Sequence, residues 1–385
     1  MKMNKLCCTA GWKSALSCAV LGGLLVAPCT AWRAFGQTSF EPGTFQGILE
    51  SGSDNDESFG FITLTLTRSG TFSMRFNLGV NNVGHHNYAI SGRFNDSGAF
   101  HYEGPAITDT RFAYARFIDL QLDNVSTPMS IQGTVTDGTH SSSIVIERLA
   151  AFGLANPAPE AGRYTFVIPN PGNSGLPAGT GFGVVSINQW GHIVASSRMA
   201  DGRIWAQGAN LTVSGRWPIF ARVGAGFHGI VAGWMTFQDR SDSDFSGTLT
   251  WLGPEVPGPN NAFVPAFSGD FQMIGSHYVG SFREPVLQVN SSSNNVTLTL
   301  SSGGLDNTIE RQLTLTSNNR FIFSPRLAGD SMGVAIGSGI FSGTFLHPDN
   351  HIVVFRGVIL QKQNLGAGSF LDMNGESGTV TLRAQ

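Results

Sequence analysis

Phe341-Ser342-Gly343-Thr344-Phe345 has the form apolar–x–Gly–x–apolar, and seven further copies start at Phe45, Ile90, Ile131, Val213, Phe245, Tyr278 and Phe355. In a β-strand, residues i, i+2 and i+4 share a face, so each copy sets a large side chain, a glycine and a second large side chain on one side. The glycine leaves a slot for a neighbouring side chain or strand and permits a bend where a sheet curls. One device spread along the chain points to repeated strands rather than to a single catalytic centre.

The surrounding sequence has the same character. Ile62, Leu64 and Leu66 alternate with Thr63, Thr65 and Thr67, the pattern of a half-buried strand. Ser69-Gly70 then makes a turn, and Phe72, Met74 and Phe76 form the next apolar face. Asp96-Ser97-Gly98, Asp137-Gly138 and Asp201-Gly202 are further hairpin signals. Phe182-Gly183 followed by Val185, Ile187 and Gly191 parallels Phe59-Gly60 followed by Ile62, Leu64 and Gly70. Later, Phe341 to Leu346 and Ile352 to Leu360 flank His347-Pro348-Asp349-Asn350-His351, a hairpin with Pro-Asp-Asn in its turn. Arg148 to Asn156 reads as a short helix, the one helical segment expected.

Together these features predict an all-β chain: tandem antiparallel β-barrel or β-sandwich units built from hairpins, after an N-terminal signal peptide. Asn156-Pro157-Ala158-Pro159-Glu160 and the proline-rich run Gly253 to Asn261 read as linkers, because such runs cannot join a central strand. They delimit units 37–156, 160–253 and 262–385.

The N-terminus carries Lys2, Lys5 and Lys13 ahead of the apolar run Ala15 to Ala27, which is short for a membrane span. Cleavage is expected after Gly36, or alternatively after Ala31. All four cysteines lie in this segment, at 7, 8, 18 and 29, so the exported chain would have neither disulfides nor thiolate sites. Its removal takes four of the 23 basic residues and none of the 26 acidic ones, leaving 19 against 26, a net of −7. That balance argues against nucleic acid or anionic lipid as partners. No transmembrane helix is expected in the remaining chain.

The run Phe355-Arg356-Gly357-Val358-Ile359-Leu360-Gln361-Lys362-Gln363-Asn364-Leu365-Gly366-Ala367-Gly368-Ser369-Phe370, ending in Ser377-Gly378-Thr379-Val380, carries a resemblance. It is similar to the close of a family of exported bacterial Gly/Phe-rich β-repeat proteins. Ala161-Gly162-Arg163-Tyr164-Thr165 and Trp217-Pro218 extend the resemblance over most of the exported chain. The chain departs from the family pattern at Ser196-Ser197-Arg198-Met199-Ala200-Asp201-Gly202-Arg203, where a glycine is lost. The family carries no known activity, so the resemblance implies a fold and export but assigns no site residues.

Motifs with catalytic form lack their context. Gly329-Asp330-Ser331-Met332-Gly333 matches a nucleophile elbow, yet glycine-broken β sequence follows where a helix is required. Gly224-Ala225-Gly226-Phe227-His228-Gly229 has the spacing of a dinucleotide loop without a βαβ unit. His347 with His351, and His85-His86 with His101, read as loop histidines, since spacing places no third metal ligand. Asp54-Asn55-Asp56-Glu57 and Asp239, Asp242 and Asp244 read as solvated acidic loops without EF-hand spacing. No cofactor is expected, and an enzyme would need carboxylates such as Asp306, Glu310 and Asp330 to converge.

All five tryptophans beyond residue 36, at 190, 205, 217, 234 and 251, fall in the second unit. Flat aromatic faces suit sugar rings or protein partners, which makes Trp190, Trp205 and Trp217 the candidate ligand-binding residues, with core packing as the competing reading. The functional expectation is an exported structural or surface interaction protein without a catalytic site, its partner a polysaccharide or another surface protein. A carbohydrate- or ligand-binding module and an outer-membrane β-barrel are the alternatives.

Overall fold

The computed structural model describes residues 40–51, 59–79, 87–104, 117–123, 129–136, 141–224, 229–253, 256–257, 263–264 and 266–385. The expected signal segment with its cleavage sites, His85-His86, the acidic run 54–57 and Asp137-Gly138 lie outside them.

Strands β1–β8 run Gly43–Ser51, Gly60–Leu66, Thr71–Leu78, Asn87–Arg93, Ala99–Glu103, Phe117–Asp123, Ser130–Thr136 and Ser141–Arg148. Strands β9–β15 run Gly162–Ile168, Gly181–Ile187, His192–Arg198, Ile204–Asn210, Arg216–Val223, Gly229–Phe237 and Phe245–Gly253. A small ribbon follows, β16 (Val256–Pro257) with β17 (Phe263–Val264), and then β18 (Phe267–His277). Strands β19–β26 run Val296–Ser302, Ile309–Leu315, Phe321–Phe323, Ser331–Ala335, Ile340–Leu346, Ile352–Leu360, Leu365–Leu371 and Ser377–Ala384.

These strands form three eight-stranded antiparallel sheets with one topology. In each, the chain meanders until its first strand pairs with its last: β1 with β8, β9 with β18, β19 with β26. The result is a nearly closed barrel whose seam lies between the fourth and fifth strands. Pairing first to last protects every edge except those two. At the second barrel's seam, edge strand β13 contains Pro218, a residue that an interior strand would exclude. Gln207 Nε2 donates across that seam to the Pro218 carbonyl at 3.1 Å.

The barrels are filled. Along β3, Phe72, Met74, Phe76 and Leu78 are buried while Thr71, Ser73, Arg75 and Asn77 are exposed. Each barrel has its own apolar cluster: Phe45, Leu64 and Met74 in the first, Phe166, Trp217 and Trp251 in the second, Phe341, Phe355 and Leu382 in the third. Apolar faces inward and polar faces outward are the inverse of a membrane-spanning barrel. The outer-membrane alternative therefore falls on the direction of the alternation, which sequence periodicity alone leaves open.

The founding motif works as expected at Gly343 on β23, where a Cβ would overlap Ser331 O on β22 and Phe355 Cζ on β24. Two copies are not strands. Val213 to Trp217 is mostly a turn, and Tyr278 to Phe282 is irregular chain after β18. Five-residue spacing cannot tell a strand from a turn that also uses glycine.

Hairpin turns are equally uniform. In 67–71, 95–99, 188–192, 199–203, 212–216, 316–320, 347–351 and 372–376, the fourth N–H donates to the first carbonyl and the first N–H to the fifth. The fourth residue has positive φ and is glycine except at Asn319 and Asn350. This is a type I turn followed by a left-handed residue, the common three-residue hairpin loop. The parallel between Gly70 and Gly191 is a topological equivalence, since both close the turn between second and third strands.

Two expectations require correction. The second unit does not end at 253, because β18 pairs with both β15 and β9 and completes the second barrel. That sheet spans 162–277, and the third begins at Val296. A proline-rich run is barred from a central strand, but a long excursion between neighbouring strands satisfies the same rule. Arg148 to Asn156 is not a helix: Leu149 bridges Thr212 of the second barrel and Gly153 bridges Asn156. Tertiary partners take the hydrogen bonds that a helix would need.

The barrels adjoin through their outer faces. Ile48 and Phe59 of the first meet Phe220, Ile230 and Leu252 of the second. Beside them, buried Glu147 accepts from Thr212 Oγ1 at 2.7 Å, Arg216 Nη1 at 2.6 Å and Ser214 Oγ. Val167 and Phe182 of the second barrel meet Val358, Leu360 and Ala367 of the third. Thr165 Oγ1 donates to the Ile359 carbonyl at 2.5 Å within this seam.

Candidate functional site

The structure does not bring the three candidate tryptophans together. Trp205 and Trp217 are 3% and 0% exposed and belong to the second barrel's interior, where Trp205 stacks on Phe166 at 6.1 Å. Trp251 is buried there too. Trp234 lies at the first junction with the Arg216 guanidinium 4.1 Å over its ring. Trp190 alone of the five is largely exposed, at 54%, at the third position of turn 188–192. A stacking platform needs open coplanar faces, and strand alternation sends Trp205 and Trp217 inward instead.

The other sequence motifs resolve into structure. Ser331 lies on β22, and its Oγ is 2.6 Å from Thr344 Oγ1 on the neighbouring strand, so no elbow forms. Of the fingerprint at 224–229, residues 225–228 lie outside the described residues, but Gly224 and Gly229 border antiparallel partners β13 and β14. His101 Nδ1 meets Asp119 Oδ1 at 2.6 Å across β5 and β6. Asp330 is buried against Arg311 Nε at 3.3 Å and the Leu327 amide at 3.2 Å.

The acidic loop at 239–244 already holds a cation. Lys362 Nζ donates to Asp244 Oδ1 at 2.8 Å and to Asp239 Oδ1. Its ammonium stands where a metal would, and these carboxylates hold its pKa above the ordinary lysine value. The neighbours of Lys362 clasp as well: Gln361 Oε1 accepts from the Val279 amide at 2.8 Å, and Gln363 Nε2 donates to the Asp242 carbonyl. The Gln361–Asn364 run is thus the turn between β24 and β25, fastening the third barrel to the chain of the second.

An open groove of about 720 Å³ lies on the exterior of the second barrel, closed on one side by Ile340 and Arg356 of the third. Arg198, Arg222 and Arg356 line it, and among its described lining residues there is no carboxylate. Strand order explains the convergence: Arg198 ends β11, Arg222 lies on β13 and Arg356 faces outward on β24. Burial, and then the like charge of Arg356, lowers the pKa of Arg198 below the ordinary guanidinium value. Arg198 Nη1 donates to the Gly202 carbonyl at 2.8 Å, while Arg222 donates to Asn77 Oδ1 at 3.1 Å and to the Leu78 carbonyl. Ile204 is exposed on one wall, and beyond Arg198 and Arg356 a hollow of about 260 Å³ continues past exposed Ile352, Val354 and Met373 to the Asp372 carboxylate. Apolar walls with guanidiniums at the centre form a surface for an acidic ligand with apolar faces.

At the far end of that hollow lies turn 347–351. His347 is 1% exposed, and its Nδ1 accepts from the Asp349 amide at 3.3 Å. The His347 and His351 rings stand 4.7 Å apart. One donor atom each from His347, Asp349 and His351 lies within 4.8 Å of the other two. Spacing had supplied two histidines and no third ligand. The third lies inside the turn, where left-handed Asn350 folds the chain so that Asp349 Oδ2 comes to 3.4 Å from His347 Nδ1.

No family model matches this chain, and no curated protein matches it. Among solved structures, a double mutant of transferrin-binding protein B from Haemophilus parasuis Hp5 aligns at 7% identity and TM-score 0.21, over 90% of this chain and 76% of that one. A single mutant of the same protein aligns at 8% identity and TM-score 0.21, over 90% and 75%. The isotype 1 protein from serogroup B Neisseria meningitidis aligns at 11% identity and TM-score 0.20, over 85% and 66%. Likeness at these scores carries no argument about ligand or role.

Proposed function

We propose that this is an exported, non-catalytic interaction protein that captures an acidic ligand in the groove between its second and third barrels. The observation that carries the reading is the pair Arg198 and Arg356 in a groove whose described lining residues include no carboxylate, on a chain of net charge −3. Arg198 and Arg356, whose like charges face each other across the groove, favour a counter-charge, and a carboxylate- or sulfate-bearing polymer supplies it while its apolar faces meet Ile204. Filled interiors support the same reading, because they leave the outer surface as the place to bind. Export and kinship with the β-repeat family belong to this proposal. They rest on the N-terminal pattern and on the Gln361–Asn364 run, whose clasp gives that motif a structural reason.

The test is calorimetric titration with a polyuronate, a neutral glucan and polyglutamate, repeated on an Arg198→Ala/Arg356→Ala variant. We expect polyuronate binding that weakens with salt and falls by at least about tenfold in the variant, each lost charge-assisted contact costing about 1.5–3 kcal/mol. Tighter polyglutamate binding would identify an acidic protein segment as the ligand. Equal binding of the neutral glucan, or an unaffected variant, would refute the reading.

A further inference from the structure

We propose that turn 347–351 is a transition-metal site in which the imidazoles of His347 and His351 and the Asp349 carboxylate hold a divalent ion of the zinc class, with water completing its shell. The three donors already lie within 4.8 Å of one another. Around a tetrahedral zinc with bonds of about 2.0–2.1 Å, donors stand about 3.3 Å apart, so modest side-chain rotation closes the site. Asp349 is exposed and free to make that adjustment.

A second observation is independent of this clustering. His347 Nε2 and both ring nitrogens of His351 are buried and have no hydrogen-bond partner among the described residues. Buried polar nitrogens without partners are costly, and an ion that takes the lone pair of one His351 nitrogen removes part of that cost. A neutral imidazole has one lone pair, so His347 would ligate through Nδ1, 3.4 Å from Asp349 Oδ2, in exchange for its bond from the Asp349 amide. His347 itself is only 1% exposed.

Comparison among the eight equivalent turns shows that the fold does not require these residues. The first position is Thr67, Asn95, Asn188, Met199, Thr212, Thr316 or Asp372 in the other seven, and the fifth is Thr71, Ala99, His192, Arg203, Arg216, Arg320 or Glu376. Asn95, Asn188 and Asp372 cap the third and fifth amides through one side-chain oxygen. His347 retains one such bond through Nδ1. Among these turns only 347–351 has imidazoles at both flanks and a carboxylate between them. Two nitrogens and one oxygen suit zinc, nickel or copper, whereas calcium and magnesium prefer an all-oxygen shell. The site opens towards solvent through Asp349 and the hollow that His351 lines.

The test uses the whole exported protein without a polyhistidine tag, titrated calorimetrically with zinc. Wild type should bind one ion per chain. His347→Asn, which restores the residue that caps turn 188–192, His351→Ala and Asp349→Asn should each weaken binding by about tenfold to a hundredfold or more, since changes one shell further out already cost that much. Cobalt(II) should give visible bands that these variants lose, while His192→Ala leaves both readouts unchanged. Absence of saturable binding by wild type would overturn the proposal. So would wild-type affinity in the folded His347→Asn and His351→Ala chains, or equal loss in His192→Ala.

Discussion

At the scale of single residues, small side chains decide where large ones sit. Gly343 has no room for a Cβ between Ser331 O and the Phe355 ring. We expect Gly343→Ala to destabilise the chain by roughly 3 kcal/mol, the upper end for overpacking, because a backbone oxygen cannot rotate away. Chemical denaturation measures it, and a change below about 1 kcal/mol would show that the third barrel relaxes. Tyr164 and Tyr278 give a pH prediction. Burial pushes both phenols up to about 12, with Asp244 and Glu160 adding to the effect at Tyr164. Their hydroxyls donate to the Glu160 carbonyl at 2.9 Å and the Ile336 carbonyl at 2.8 Å. A folded pKa above the unfolded value of about 10 means that the stabilisation is complete below pH 10 and is lost as pH rises towards 12. Ultraviolet titration of native protein should show two tyrosines ionising near pH 12, and both should titrate near pH 10 in denaturant.

At the scale of elements, one strand pair and one turn are used repeatedly. Asn188 accepts from the amides of Trp190 and His192, both at 3.0 Å, and so closes the turn between β10 and β11. Asn188→Ala should cost about 1 kcal/mol, as loss of a helix cap does, measured as a lower midpoint in urea. This level was the most legible in sequence. Alternation at Ile62–Leu66 and Phe72–Phe76 identified strands, and Gly70, Gly98, Gly202 and the Pro-Asp-Asn run identified turns, because period two and positive φ are local properties. Val213–Trp217 and Tyr278–Phe282 were misread as strands since a turn also satisfies apolar–x–Gly–x–apolar. Whether an alternating strand faces its apolar side inward is not local, so periodicity leaves the membrane alternative open and the filled barrels remove it.

At the scale of the molecule, boundaries and sites depend on which strands return to which sheet. Nothing in residues 254–262 says that β18 closes the second barrel; its register with β9, Ile274 on Val167 through His277 on Tyr164, does. A cleavage site engineered between Gly253 and Phe267 should therefore yield two pieces that elute together from a sizing column and separate only in denaturant. Separation in native buffer would restore the linker reading. The arginine groove was invisible in sequence for the same reason: Arg198, Arg222 and Arg356 come from three strands of two barrels. Trp205, by contrast, was visible: it borders the groove, yet composition does not say that it is only 3% exposed. The Asp239–Asp244 loop was legible as acidic, but its partner Lys362 lies more than a hundred residues away.

Hydrogen exchange of the protein, alone and saturated with polyuronate, tests most directly whether ligand binds outside filled barrels in this groove. We predict added protection confined to the exterior stretches around Phe182–Val184, Ser196–Arg198, Ile204–Ala206 and Arg356. Protection centred on the Trp190 turn, or spread through strands of the first barrel, would contradict it.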